Sequence, residues 1–82
     1  MAEMYVHGHT VSEDVQAALL AKMKSGPFKA SALEAEAVRL GLPSLTENRE
    51  PVAMRAADRI IQRERKAGNL ELHRPNWVWI GA

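Results

Sequence analysis

Arg55, Arg59, Gln62, Arg63 and Lys66 recur at mostly three- and four-residue spacings in the stretch MRAADRIIQRERKAG, residues 54–68. Such spacings bring side chains to one side of a helix. With Arg55 set at zero and a step of about 100° per residue, Arg59 falls at roughly 40°, Gln62 at roughly 340°, Lys66 at roughly 20° and Arg63, on the flank, at roughly 80°. Ala53, Ala56, Ala57 and Ile60 fall between roughly 100° and 200°, and Ile61 at roughly 240°, so a polar stripe and an apolar stripe oppose each other. The polar stripe carries the chemistry of nucleic-acid recognition. Arginine grips a guanine edge with two bonds and glutamine an adenine edge; arginine and lysine neutralise phosphates. Asn48 and Arg49, just ahead of this segment, are within reach of the same ligand. The competing reading is the solvated back of a core helix, with Asp58 and Glu64 pairing off the arginines.

Other chemistries find little support. His7 and His9 flank Gly8 on one side of a β-leaning segment. Two imidazoles, even with His73 as a third, lack Cys or carboxylate partners at ligand spacing, so no metal is expected. Ser12, Ser25, Ser31 and Ser44 have no glycine elbow, and SGPFKAS lacks the glycine spacing and the Lys-Ser/Thr of a phosphate-cradling loop. Glu34 and Glu36 are two apart and do not face each other on a helix. The chain has no cysteine, which removes disulfides, thiol nucleophiles and Cys-based zinc sites. The expectation is a protein that is not an enzyme, needs no cofactor and suits a cytoplasmic setting. No apolar run is long enough to span a bilayer, and no signal-peptide pattern opens the chain.

Charge is distributed unevenly. The net value over 82 residues is +1. Residues 1–46 are net −1 and residues 47–82 net +2, with six basic residues against three acidic ones between Arg49 and Lys66. The positive excess falls on one predicted element.

The elements that must position this stripe are legible from caps and breakers. Residues 1–11, with MYVHGHTV, read as an edge strand or ordered arm; residues 12–82 read as one domain. Ser12 suits the N-cap of a first helix, followed by Glu13 and Asp14 where the helix dipole favours negative charge. Val15, Ala18, Leu19 and Met23 form its apolar stripe, and Ser25-Gly26-Pro27 ends it. Phe28 is a core residue on a very short extended piece. Ser31 and Glu34 have capping-box spacing, opening a second helix to about Leu40, with Leu33, Ala37 and Leu40 inward and Gly41 as its left-handed terminator. Pro51 fits the first position of a third helix, which runs to about Ala67 before Gly68-Asn69. LELHRPNWVWI reads as a β-hairpin. A four-residue loop, His73 to Asn76, pairs Leu72 with Trp77 and Leu70 with Trp79; a three-residue loop pairs Leu72 with Val78. The first is favoured, because the chain has few large residues with which to fill a core.

This order of arm, three helices and hairpin resembles the winged helix-turn-helix family. GPFKASALEAEAVRLGL resembles the first part of the motif, ADRIIQRERKAGNLEL the recognition helix passing into the wing, and NWVWI the closing strand. The resemblance covers residues 12–80. It implies an α+β, mainly α fold: a three-helix winged helix-turn-helix with a C-terminal β-hairpin wing and a short N-terminal strand. It also implies binding of double-stranded DNA by a small regulator, of a size fitting a bacterial or phage protein. The third helix would enter the major groove with Arg55, Arg59 and Gln62, flanked by Arg63 and Lys66, with Arg49 at its entrance. Arg74, with His73 and Asn76, would hold the wing on the DNA backbone. The alternative within the same fold is a protein–protein adaptor. A homodimer or protein partner would then use Trp77 and Trp79, or the N-terminal arm. One departure from the family pattern is the Gly41–Glu50 connection, longer than the usual turn of ~3–4 residues.

Overall fold

The apolar side of the basic segment is fully enclosed: Val52, Ala53, Ala56, Ala57, Ile60 and Ile61 are all buried. A computed structural model of the chain describes residues 4–6, 8–44 and 51–81. Its elements are β1 (Met4–Val6), β2 (His9–Val11), α1 (Glu13–Lys24), α2 (Ala30–Arg39), α3 (Val52–Lys66), β3 (Leu70–His73) and β4 (Asn76–Trp79). This is the α+β architecture expected, with three helices followed by a hairpin.

α1 starts as its sequence dictates. The Ser12 hydroxyl accepts a bond from the Val15 amide at 3.2 Å, and Glu13 and Asp14 occupy the first turn. α2 does not use the expected capping box. It begins at Ala30 with Lys29 as N-cap and no side-chain cap bond. Ser31 is therefore already inside the first turn, where its hydroxyl is not placed to cap it. Pro51 likewise precedes α3 rather than opening it, with extended backbone (ψ 137°) and its carbonyl accepting from Arg55 at 3.1 Å.

α2 and α3 end in the same way. Gly41 donates to Val38 at 2.9 Å and Leu42 to Ala37 at 3.1 Å; Gly68 donates to Arg65 at 3.1 Å and Asn69 to Glu64 at 2.9 Å. This double bond pattern closes a helix when the residue after its cap is left-handed. Gly41 and Gly68 supply that conformation, with φ of 101° and 83°. Beyond α2, the Pro43 carbonyl accepts from the Ala53 amide at 3.0 Å. This bond ties the segment after α2 to the first turn of α3. Asn48 and Arg49 lie outside the described residues.

The expected N-terminal strand is a hairpin of two. β1 and β2 pair antiparallel, Met4 with Val11, Tyr5 with Thr10 and Val6 with His9. Val6 and Val11 are fully buried and Met4 packs on the same core. β1 and β2 are thus part of the packed fold. The C-terminal hairpin has the favoured register, Leu70 opposite Trp79 and Leu72 opposite Trp77. Leu70 is buried, and Trp77 and Trp79 pack against the core. Lys24 Nζ sits 4.9 Å from the centre of the Trp79 ring. Phe28 joins this sheet on the free edge of β4: its amide donates to Trp77 O at 3.0 Å, and the Trp77 amide donates back at 2.7 Å. That exchange locks the hairpin to the α1–α2 connection.

Candidate nucleic-acid interface

With one side of α3 buried, its other side must face solvent. Met54, Asp58, Arg59, Arg65 and Lys66 are exposed, and Arg55, Gln62, Arg63 and Glu64 are half-exposed. The helix holds five basic residues and two acidic ones, net +3. The whole chain is +1, so everything outside α3 is net −2. Arg55, Asp58, Arg59, Gln62, Arg63 and Lys66 line one shallow depression of about 450 Å³. The structure therefore brings together five of the residues that the sequence singles out.

Their present partners differ. Arg55 Nη1 lies 3.5 Å from Asp58 Oδ2, both well exposed. A surface pair of this kind contributes ~0–1 kcal/mol and yields readily to a stronger anion. Gln62 Oε1 accepts from Arg65 Nε at 2.9 Å. Lys66 has no carboxylate partner among the described residues. Arg59 Nη1 donates to the Tyr5 carbonyl at 2.7 Å, tying α3 to β1. An arginine has five N–H donors, so this one bond leaves others to offer. Arg63 is more committed. Its Nη1 donates to Gln16 Oε1 at 3.0 Å and its Nε to Glu64 Oε2 at 2.9 Å.

Gln16 is the residue that sequence reasoning missed. It is fully buried, and its Nε2 donates to the Val11 carbonyl at 3.1 Å. Together these bonds run from Arg63 on α3 through Gln16 on α1 to β2. A signal for it existed: Gln16 stands three residues before Leu19 and seven before Met23, on the buried stripe of α1.

Glu64 sets the other end of the interface. Burial pushes its pKa up, but bonds from Asn69 and Arg63 outweigh this and hold the carboxyl below its ordinary range. Asn69 Nδ2 donates to Glu64 Oε1 at 2.9 Å, while the Asn69 carbonyl accepts from the amides of Ile80 and Gly81 at 2.8 and 3.3 Å. The base of the C-terminal hairpin is thereby tied to the last turns of α3. Arg65, also absent from the expected site, lines a second depression of about 540 Å³ between α3 and that hairpin, with Gln62, Leu70, Glu71, Leu72 and Trp77.

No family model, curated protein or solved structure matches this chain. What it can do therefore rests on its own residues. Arg74 stands apart from the α3 stripe, exposed in the turn between β3 and β4. Beside it His73 Nε2 is 2.6 Å from Glu71 Oε1. Among the described residues no group of three His, Cys, Asp or Glu is placed to hold a metal ion. None of their helices is long and apolar enough to cross a membrane.

Proposed function

We propose that this chain binds double-stranded DNA as a winged helix-turn-helix regulator, with α3 in the major groove and the β3–β4 hairpin as its wing. The observation that carries this reading is the exposed face of α3. It gathers the positive charge of a molecule whose remainder is negative, and Asp58 is the one carboxylate in its central depression.

The division of labour follows from the partners. Arg55 and Gln62, held only by exposed neighbours, are the base-edge readers, suited to guanine and adenine. Lys66, Arg65 and Arg74 meet phosphates, and Arg49 extends that set ahead of the helix. Arg59 reaches backbone with the donors left after its bond to Tyr5. Arg63 contributes field more than contact, because its guanidinium is engaged by Gln16 and Glu64. No cofactor is needed, and a cytoplasmic setting suits such a role.

The adaptor alternative would use the hairpin. There Trp77 and Trp79 pack on the core, while Leu72 and Ile80 remain exposed. The two readings separate in a titration of labelled mixed-sequence duplex. DNA binding requires affinity that falls steeply between about 50 and 200 mM salt, because bound phosphates release counterions. A chain that fails to bind duplex at the lower salt does not have this function.

A further inference from the structure

The β1–β2 hairpin lies beside the basic stripe, and its position has a consequence for DNA contact. Arg59, at roughly 40° on the α3 wheel, donates to the Tyr5 carbonyl at 2.7 Å. Arg63, at roughly 80°, reaches the Val11 carbonyl through Gln16. The hairpin is therefore held on that flank of the stripe. The other flank, with Gln62 at roughly 340° and Arg65 at roughly 280°, borders the C-terminal hairpin. The stripe is bracketed by a hairpin on each side.

A helix with its side chains is ~10–12 Å across, and a B-DNA major groove is ~12 Å wide. A helix seated there fills the groove. Elements on its two flanks then come to the two phosphate backbones that border it. We infer that the β1–β2 hairpin is a second clamp on duplex DNA, contacting the backbone opposite the one held by the C-terminal hairpin, through the Tyr5 and Thr10 hydroxyls. This rests on the DNA-binding reading of α3.

The chemistry of the hairpin fits that occupant. Tyr5 and Thr10 are paired across the two strands. Both are exposed, Tyr5 at 63%. Residues 4–11 contain no Asp or Glu, so the hairpin itself carries no charge that repels phosphate. Val6 and Val11 are fully buried beneath, which fixes the strands before DNA arrives and spares the ordering cost of a loose arm. The contact is made by neutral hydroxyls, which displace no counterions. It adds affinity without adding to the salt slope.

The experiment compares the full-length wild type, Tyr5→Phe/Thr10→Val and Lys66→Ala on the same labelled mixed-sequence duplex over a salt series. The double variant removes two exposed hydroxyls and keeps both shapes, and its thermal midpoint confirms that it folds as the wild type does. Expected is roughly tenfold weaker binding with an unchanged salt slope. Lys66→Ala, by contrast, lowers the slope by ~0.9. Wild-type affinity in the double variant, with the lysine effect intact, overturns the clamp and leaves the α3 reading standing. Absence of salt-dependent duplex binding in the wild type overturns both.

Discussion

Replacing Gln16 with leucine tests whether the buried polar tie, rather than apolar packing alone, holds the N-terminal hairpin against the helices. Leucine is close to glutamine in volume, so the change opens no large cavity. It removes the bonds of Gln16 Nε2 to the Val11 carbonyl and of Arg63 Nη1 to Gln16 Oε1. The first loss dominates. Val11 is fully buried and its carbonyl is also part of the β1–β2 pairing, so the change removes one of its bonds, at ~0.5–1.5 kcal/mol. The second loss is smaller, because the Arg63 side chain is 37% exposed and keeps its bond to Glu64. Added apolar burial by leucine offsets part of the total. The expected net destabilisation is ~1 kcal/mol. In a domain of this size each kcal/mol moves the thermal midpoint by ~4–8 °C, so Gln16→Leu should melt ~4–8 °C below the wild type by far-UV circular dichroism. Arg63→Met removes the same bond from its other end. A double-mutant cycle between the two should show coupling of at least ~0.5 kcal/mol. A Gln16→Leu protein as stable as the wild type, or a cycle without coupling, would refute the reasoning.

Three further outcomes follow from local structure. Ser12→Ala removes the cap on the Val15 amide and should lower unfolding free energy by ~1 kcal/mol in urea, with no change in duplex affinity. Gly68→Ala places a side chain at φ 83° with open space around it; its cost is conformational alone, ~1–2 kcal/mol, read from the urea midpoint. Glu64 has a folded pKa below its unfolded one, so its contribution is present above the unfolded value and is lost as pH falls through the folded value. Glu64→Gln should therefore flatten the loss of thermal stability on acidification below about pH 4.5, and a curve parallel to the wild type's would contradict that assignment.

Much of the fold was legible because it is set by local rules. Ser12 with two following acids marks the start of α1. The opposed stripes of Val52–Lys66 mark both the buried and the exposed side of α3. The register of the C-terminal hairpin followed from the scarcity of large side chains, which requires Trp77 and Trp79 to share the inner side with Leu70. Other features were set by tertiary neighbours and were not legible in spacing. The Ser31–Glu34 pair has the right separation for a capping box, but the helix begins two residues earlier, with Lys29 as N-cap, and leaves it unused. Val6 and Val11 around Gly8 carry the signal of a hairpin, yet a single short run does not show that a core lies beneath it. Wheel positions gave the flank of Arg63 correctly but not its partner, since Gln16 is 47 residues away in sequence. The same holds for Arg59 and Tyr5, 54 apart. A basic stripe in a sequence shows where guanidinium groups emerge, not which of them the fold has already engaged.

The most direct test of the central claim is the salt dependence of duplex binding by the wild type and by an Arg55→Ala/Lys66→Ala double variant. Each phosphate neutralised contributes ~0.9 to the slope of log K against log salt. If the exposed stripe of α3 meets the DNA, the wild type binds duplex with a slope steeper than about −3, and the double variant loses affinity together with roughly 1–2 units of slope. A wild-type slope near zero, or a double variant with undiminished affinity and slope, would contradict the assignment of this helix as the DNA-binding element.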